Sequence, residues 1–246
     1  MGIFSKIFKK TDNRRKKHFC TVIVPAAGTS SRMGGENKLF ISLGGLPVLA
    51  RTLLAVESSE RVDEIIVVSR SENLEDVATL CQKYGIEKVS KIICGGDSRT
   101  ASVYAGTFAA SKDADIIAVH DGARPLVTKE ILNETIDAAI KFNAAAPAVP
   151  VKDTVKTARG GVVTGTPDRK SLYAVQTPQV FNADIFKAAM ENALKMDLEL
   201  SDDCMAVEAI NVKVHLTAGS SNNIKITTPE DIPVAEAILA SGRYNI

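Results

Sequence analysis

Residues 20–35, CTVIVPAAGTSSRMGG, place a run of apolar and β-branched side chains directly before a loop of small residues. The run Cys20–Pro25 is typical of a buried strand, and three similar runs follow at Ile65–Ser69, Lys91–Cys94 and Asp115–His120. Stretches with helical periodicity separate these runs or follow them, at Pro47–Ser58, Leu74–Tyr84, Arg99–Ala110 and Lys129–Asn143. Buried strands that alternate with helices predict an α/β fold with a Rossmann-like, mostly parallel sheet and helices on both faces.

The alternation ends after Pro150. Residues 152–175 alternate β-branched and polar side chains around Gly160-Gly161, which predicts a β-hairpin arm that projects from the sheet. Since such an arm buries apolar surface only against a partner, we expect it to form a homodimer contact; a solvated hairpin is the alternative. Beyond the arm, the sequence predicts a helix at Ala183–Lys195, strands at Val212–Thr217 and Ile224–Thr227, and a closing helix with Thr228 as its N-cap.

The charge of the chain is unevenly distributed. Its 246 residues carry 30 Lys and Arg against 29 Asp and Glu, a net +1, but residues 1–18 hold seven basic side chains and one acidic one. Subtracting this local +6 from +1 leaves −5 for the rest, which argues against a protein that coats nucleic acid. We expect residues 1–18 to be a flexible basic extension and residues 19–246 a single domain. For the extension, a solubilising tail is the favoured interpretation and a weak membrane anchor is the alternative.

Other classes are excluded by what the sequence does not contain. No apolar run approaches the roughly 18–20 residues that span a bilayer, and no apolar stretch follows the basic N-terminus as it does in a secretory signal. The four cysteines are scattered, without the paired spacing of a zinc site or a disulfide framework. We therefore expect a cytoplasmic protein with free thiols.

The loop that follows Pro25 is suited to hold a polyphosphate. Its small residues let backbone N–H groups approach an anion, and Arg32 and Lys38 add positive charge. It has neither the Gly-Lys-Ser/Thr of a P-loop nor the glycine spacing of a dinucleotide-binding turn. Its position after the first strand is where doubly wound folds bind ligands. A mobile loop with two solvated cations is the alternative.

This loop and three further segments together resemble one family. The pattern PAAGxxxRMxxxxK after an N-terminal strand is similar to that of GT-A-type nucleotidyltransferases that activate sugar or polyol phosphates. Residues 95–103 (GGDSRTASV), 120–125 (HDGARP) and 223–231 (NIKITTPED) narrow the resemblance. Over about residues 20–242, the chain resembles the 2-C-methyl-D-erythritol 4-phosphate cytidylyltransferases of the non-mevalonate isoprenoid pathway.

The resemblance implies a reaction between two anions. The phosphate of 2-C-methyl-D-erythritol 4-phosphate attacks the α-phosphorus of CTP in line, giving 4-diphosphocytidyl-2-C-methyl-D-erythritol and pyrophosphate. Catalysis must then come from charge neutralisation and alignment rather than from a covalent nucleophile. By resemblance, Arg32 and Lys38 neutralise the triphosphate and Lys225 holds the α-phosphate, although cations can also be plain surface charges. A ribitol 5-phosphate cytidylyltransferase and a catalytically silent nucleotide-binding scaffold are the alternative functions.

Asp121 is the predicted magnesium ligand. It follows a strand at the ligand-binding edge of the sheet, where a carboxylate suits Mg²⁺ or another hard divalent cation; a cap for the next turn is the alternative. The family commonly has a second acidic residue two positions before the Asn-Ile-Lys, whereas this sequence has Ser221 and Asn222. Asn222 offers only an amide oxygen, directly or through water. His120 is expected to be structural, with a satisfied hydrogen bond.

The resemblance also assigns the two binding pockets. The cytosine ring would be framed by Pro25, Ala26, Ala27, Gly28, Gly95, Asp97 and Ser102, with the Ser102 hydroxyl at the pyrimidine edge. The polyol phosphate would meet Arg124, Thr154, Arg169, Thr177, Ser201 and Asp202. Arg169 lies on the arm and would reach the site of a neighbouring subunit. An ordinary early-helix serine at position 102, and a plain loop at residues 201–203, are the alternatives.

Overall fold

The apolar runs of the N-terminal half form neighbouring strands of one sheet. The computed structural model describes residues 18–28 and 37–242. Along the chain the elements are β1 (Phe19–Pro25), β2 (Ser42–Leu43), β3 (Leu46–Pro47), α1 (Val48–Glu57), β4 (Glu64–Ser69), α2 (Leu74–Lys83), β5 (Val89–Cys94), α3 (Arg99–Ala109), β6 (Ala114–Val119), α4 (Lys129–Phe142), β7 (Ala144–Pro150), β8 (Thr157–Arg159), β9 (Val162–Gly165), β10 (Tyr173–Val175), β11 (Gln179–Asn182), α5 (Ala183–Lys195), α6 (Cys204–Glu208), β12 (His215–Ala218) and α7 (Asp231–Ala240).

The main sheet has eight strands and is mixed. Strands β5, β4, β1 and β6 lie side by side in that order and are parallel. Beyond β6 the sheet continues with β11, which is antiparallel to both β6 and β7, and with β12, which is parallel to β7. The prediction of an α/β fold with a mostly parallel sheet is therefore confirmed, and the carboxyl ends of β1, β4 and β6 share one edge.

Helices cover both faces of this sheet. Successive side chains of β1 point to opposite faces, so Val22 and Val24 pack in one apolar cluster and Ile23 packs in another. The first cluster includes residues of α1, α2 and α4, and the second includes residues of α3, α5 and α6. Because helices bury both faces of the sheet, the central strands carry continuous apolar runs rather than alternating ones.

The second half differs from the sequence prediction in two places. Strands β7 and β11 were not predicted, because β7 is built of alanine, proline and valine and lacks the β-branched runs that mark the other strands. The predicted arm is shorter than residues 152–175. Only β8 and β9 pair as a hairpin, around Gly160 and Gly161 with their positive φ angles, whereas β10 pairs with β7 in the main sheet.

Two other sequence predictions are also corrected near the C-terminus. Ile224–Thr227 does not form a strand. Its Ile226 N–H donates to the Ala123 carbonyl, and the Thr227 N–H donates to the Asp231 carboxylate, so no ladder forms. The last helix starts at Asp231, two residues later than predicted, although Asp231 does accept a hydrogen bond from the N–H of the predicted cap, Thr228. Within the described ranges, no helix is both long and apolar enough to cross a membrane.

Candidate active site

A pocket of about 280 Å³ opens at the carboxyl ends of β1 and β6. Its position follows from the topology, because parallel strands direct the loops at their carboxyl ends to one edge of the sheet. The described residues that line it are Pro25, Ala26, Ala27, Gly28, Lys38, Leu39, Gly96, Asp97, Ser98, Arg99, Ser102, Asp121, Gly122, Ala123 and Lys225.

Most of the predicted nucleotide and catalytic residues meet in this pocket. Of those named from the sequence, it contains Pro25, Ala26, Ala27, Gly28, Lys38, Asp97, Ser102, Asp121 and Lys225. These positions come from five segments that are far apart in the sequence. Arg32, the remaining predicted catalytic cation, lies outside the described residues.

Ser102 is buried in the first turns of α3, with its hydroxyl beside the pocket. The Ser102 Oγ donates to the Ser98 carbonyl at 2.9 Å, which leaves its lone pairs as acceptors. Gly95 does not itself line the pocket, but it makes room for this hydroxyl. A Cβ on Gly95 would lie 2.6 Å from the Ser102 Oγ and 3.1 Å from the Ala27 Cβ. A side chain at the end of β5 would therefore displace the Ser102 hydroxyl.

Asp121 is surrounded by three cations. Its Oδ2 lies 2.9 Å from the Lys225 Nζ and 3.3 Å from the Arg124 Nε, and its Oδ1 lies 3.8 Å from an Arg99 guanidinium nitrogen. The backbone N–H of Asp121 donates to the Thr177 hydroxyl at 3.1 Å. Thr177 thus holds the backbone of Asp121, and cations from three parts of the chain surround its carboxylate.

These cations determine the protonation state of Asp121. Burial alone would raise the pKa of its carboxyl group, but Lys225, Arg99 and Arg124 outweigh burial and lower that pKa to about 2. The carboxylate is therefore ionised at neutral pH. Next to it, burial lowers the pKa of His120 to about 4, so the imidazole is neutral. Its two ring nitrogens contact the Thr177 hydroxyl and the Arg124 carbonyl, as expected for a structural histidine.

Arg99 and Asp203 are two charged residues at the site that were not singled out from the sequence. The Arg99 guanidinium binds the buried Asp203 carboxylate through two hydrogen bonds of 2.8 Å and 2.6 Å. Burial alone would lower the pKa of Arg99, but Asp203 and Asp121 outweigh burial and raise it, so the guanidinium stays charged. Arg99 lies inside a motif already recognised, GGDSRTASV, and Asp203 follows Ser201-Asp202 directly. The sequence carried no signal that these two residues pair.

The predicted polyol-phosphate residues are divided between the pocket and the surface. Arg124 and Thr177 both contact Asp121, the first through its guanidinium and the second through its hydroxyl. Asp202 accepts a hydrogen bond from the Gln179 side chain at 2.9 Å, and the Ser201 hydroxyl contacts the Met205 sulfur.

Thr154 and Arg169 are exposed, and neither lines the pocket of its own chain. A guanidinium nitrogen of Arg169 donates to the Lys152 carbonyl at 2.8 Å. The structure therefore brings Arg124 and Thr177 to the site but leaves Thr154 and Arg169, which flank the hairpin, apart from it.

The chemistry of the site fits one hard divalent cation. Asp121 supplies an ionised carboxylate within the pocket. Asn222 does not line the pocket, and across the described part of the chain no group of three or more His, Cys, Asp or Glu residues is placed to hold a metal. Mg²⁺ is commonly held by one or two protein carboxylates and by phosphate oxygens of a substrate, so the single carboxylate of Asp121 fits such an ion where a phosphate-bearing ligand also binds.

Comparison with known proteins identifies the family of this chain. Residues 20–241 match the family of 2-C-methyl-D-erythritol 4-phosphate cytidylyltransferases. A relative of that name from Pelotomaculum thermopropionicum is 46% identical over 220 residues, which cover 88% of this chain and 92% of the relative. Another, from Halalkalibacterium halodurans, is 42% identical over 221 residues, which cover 89% of this chain and 96% of the relative.

Solved structures agree with the fold. The 4-diphosphocytidyl-2C-methyl-D-erythritol synthase of Anaerococcus prevotii superimposes with a TM-score of 0.82 at 32% identity, covering 91% of this chain and 97% of that one. The 2-C-methyl-D-erythritol 4-phosphate cytidylyltransferase of Thermus thermophilus gives a TM-score of 0.71 at 30% identity, covering 89% and 98% of the two chains.

Proposed function

The chain belongs to the family of 2-C-methyl-D-erythritol 4-phosphate cytidylyltransferases, and we propose that the pocket around Asp121 is where it performs the reaction of that family. The reaction transfers CMP from CTP to 2-C-methyl-D-erythritol 4-phosphate and gives 4-diphosphocytidyl-2-C-methyl-D-erythritol. The names of these relatives favour this polyol phosphate over ribitol 5-phosphate. The observation that carries the assignment of the site is the cluster of Lys225, Arg124 and Arg99 around one carboxylate.

In the proposed mechanism, the protein aligns two anions and balances their charge. A phosphate oxygen of the polyol phosphate forms a bond to the α-phosphorus of CTP as the bond to the bridging oxygen breaks, and the electron pair leaves with pyrophosphate. Lys225 and Lys38 line the pocket, so they stand where the triphosphate would bind, and Arg32 is assigned the same role by resemblance. Negative charge that builds on the α-phosphate is stabilised best by cations that are already in place, as Lys225 is beside Asp121.

Cytosine recognition is assigned to Ser102 and the small residues around it. The Ser102 hydroxyl already donates to a backbone carbonyl, so it is left to accept a hydrogen bond. An exocyclic amino group, which cytosine has and uracil lacks, is a donor of that kind. Ala26, Ala27 and Gly28 line the pocket beside Ser102, and their small size leaves room for one pyrimidine ring.

Magnesium, or another hard divalent cation, is assigned to Asp121. When bound, such a cation would polarise phosphate oxygens and neutralise part of their charge. The chain contributes an ionised carboxylate that the surrounding cations hold in place, on a residue whose backbone N–H donates to Thr177.

The chain is proposed to act as a homodimer through the arm. Apolar side chains on the hairpin and on the neighbouring strand β10 are exposed, among them Val162 (68%), Val163 (57%) and Tyr173 (48%). A second copy of the chain would cover them, and an Arg169 that does not line its own pocket would then be available to the pocket of the partner.

We assign the protein to the cytoplasm. The assignment is supported by the four cysteines, all of which are free thiols. Three of the four are buried, which suits a reducing compartment.

The assignment of the catalytic site is tested by release of pyrophosphate. The wild-type protein should release it with CTP and 2-C-methyl-D-erythritol 4-phosphate together, and much less with ribitol 5-phosphate. Lys225→Met should lower turnover by about a hundredfold or more, because it removes the cation next to the reacting phosphate. Lys129→Met is a matched control: Lys129 is 38% exposed where Lys225 is 39%, it also pairs with a carboxylate, and it lies away from the pocket. Near-normal turnover in Lys225→Met would contradict the assignment.

The dimer is tested by mixing two defective variants, Arg169→Ala and Lys225→Met. If Arg169 acts on the partner's site, each mixed dimer contains one intact site, and activity should return to about a quarter of the wild-type value at equal mixing. If no activity returns although sedimentation shows mixed dimers, the role of Arg169 across the interface is refuted.

A further inference from the structure

The Arg99–Asp203 ion pair connects two segments that are 104 residues apart. Arg99 is the first residue of α3 and lines the nucleotide pocket, whereas Asp203 immediately precedes α6 on the other side of the site. The Asp203 side chain is 1% exposed, and both of its oxygens accept hydrogen bonds from the Arg99 guanidinium. Two parallel bonds of this kind fix the relative orientation of the two groups as well as their distance.

The stability of α3 does not explain an arginine at this position. A positive charge at a helix N-terminus is opposed by the helix dipole. The helix is already capped, because the Ser98 hydroxyl accepts from the Ala101 N–H at 3.0 Å. The Arg99 side chain instead points to Asp203 and comes within 3.8 Å of Asp121.

Asp203 belongs to a segment that is also attached to the sheet. The Gln179 Oε1 accepts hydrogen bonds from the backbone N–H groups of Asp203 and Cys204, and the Gln179 Nε2 donates to Asp202. Gln179 itself pairs with Val119, the last residue of β6 and two residues before Asp121. The segment 201–203 therefore has two attachments, an amide bridge to the sheet and a charged bridge to α3.

Arg99 is the attachment that faces the pocket. The guanidinium is one-third exposed and lies between the buried Asp203 and the carboxylate of Asp121. A buried ion pair contributes little net stability compared with apolar residues of the same size, so a purely structural role would not need a charged pair here. A pair that spans two binding regions can instead fix the distance between them.

We propose that Arg99 and Asp203 are positioning residues that hold the Ser201-Asp202 segment against the nucleotide pocket and so shape the binding site for the polyol phosphate. The inference rests on the proposed function, in which Ser201 and Asp202 lie on the polyol-phosphate side. In this proposal the pair acts through the Ser201-Asp202 segment rather than on the reacting atoms. It sets where the second substrate is held relative to the α-phosphate.

The test separates the Michaelis constants of the two substrates. Asp203→Asn keeps the size of the side chain and the backbone bonds to Gln179 but loses the charge that binds Arg99. We expect the KM for 2-C-methyl-D-erythritol 4-phosphate to rise about tenfold, the value for losing one charge-assisted hydrogen bond, while the KM for CTP changes less than about twofold. Arg99→Lys keeps the charge without the bidentate geometry and should shift the same constant in the same direction.

Glu64→Gln is the matched control for the loss of a buried carboxylate. Glu64 is 7% exposed and accepts hydrogen bonds from Thr21, Ser90 and Ser111 at the opposite edge of the sheet. The Glu64→Gln variant should have a lower melting temperature but an unchanged ratio of the two KM values. A purely structural Arg99–Asp203 pair would behave in the same way, and equal KM changes for both substrates, or none, would overturn the proposal.

Two results distinguish this inference from the proposed function. If the wild-type protein releases no pyrophosphate with the two substrates, the proposed function fails. If the wild-type protein is active but the KM for the polyol phosphate is unchanged in Asp203→Asn, only the role of the pair fails. Should Asp203→Asn not fold, Arg99→Lys decides by the same criterion.

Discussion

The Asp121→Asn variant tests whether three neighbouring cations stabilise the folded protein through the Asp121 carboxylate. The substitution keeps the size of the side chain and removes its charge. Lys225, Arg124 and Arg99 would then lie next to a neutral amide, although Arg99 keeps Asp203 and Arg124 keeps the Asn223 carbonyl at 2.7 Å. The loss should therefore be that of one favourable ionisation rather than of the whole cluster.

The magnitude follows from the pKa of the carboxyl group. Its pKa is about 2 in the folded protein against an ordinary value of 3.8, and the side chain is only 10% exposed. A difference of nearly two pKa units corresponds to about 2 kcal/mol in the free energy of unfolding at neutral pH. Because the folded pKa lies below the unfolded one, this contribution is complete above about pH 4 and is lost as the pH falls towards 2. About half of it should be left at pH 3.

The assay is urea unfolding in EDTA, without nucleotide, at pH 7 and pH 3. Asp121→Asn should be less stable than wild type by about 2 kcal/mol at pH 7 and by about 1 kcal/mol at pH 3. Asp137→Asn is the control, because Asp137 also pairs with an arginine, Arg61 at 3.0 Å, but both side chains are nearly half exposed. It should cost less than about 1 kcal/mol. A loss for Asp121→Asn under about 0.5 kcal/mol, or an equal loss at both pH values, would refute the electrostatic argument.

Three further predictions concern the base pocket and the core. Ser102→Ala should lower kcat/KM for CTP at least tenfold and narrow the preference for CTP over UTP, because it removes the acceptor of one hydrogen bond. Steady-state assays with both nucleotides check this, and an unchanged preference would argue against base recognition by Ser102. Gly95→Ala should raise the KM for CTP without altering the circular dichroism spectrum, because the new Cβ would lie 2.6 Å from the Ser102 Oγ; a normal KM would show that the serine moves without consequence. Phe186→Ala should lower the free energy of unfolding in urea by about 3–5 kcal/mol, since Phe186 is fully buried and its ring stacks on that of Phe181 with the centroids 4.4 Å apart. The control Phe108→Ala, at a side chain that is 45% exposed, should lower it by less than about 1 kcal/mol. Similar losses in the two variants would be inconsistent with this packing.

The sequence predicts the N-terminal half of the fold well because its strands are buried on both faces. Such strands leave continuous apolar runs, as in CTVIVP and IIVVS, which are easily distinguished from amphipathic helices. Strand β7 gives no such signal, since its Ala-rich sequence packs tightly without β-branched side chains. Ile224–Thr227 gives a misleading signal, because its alternating apolar residues suggest a strand. In the structure the Asp231 carboxylate accepts hydrogen bonds from the N–H groups of Thr227 and Thr228 instead.

The same reasoning explains which site residues were predictable. Pocket residues at strand ends are predictable, because topology places all such ends at one edge. Asp121 is predicted in this way, whereas Ala26 is assigned to the pocket by family resemblance, and both line it. The Arg99–Asp203 pair depends on how two loops far apart in the sequence pack against each other, which no local pattern encodes. Arg169 is a third case, since the structure of one chain places it away from its own pocket.

The balance of charge at the site supports the assignment of a divalent cation. Four cations of the described chain, Lys38, Arg99, Arg124 and Lys225, lie in or beside the pocket, against four carboxylates, Asp97, Asp121, Asp202 and Asp203. These charges cancel. The phosphate of the polyol alone carries about −1.5 to −2, and the triphosphate of CTP carries more. Even with Arg32 added, the side chains do not neutralise both substrates at once, so a divalent cation bound between Asp121 and the phosphates would supply the charge that the protein lacks.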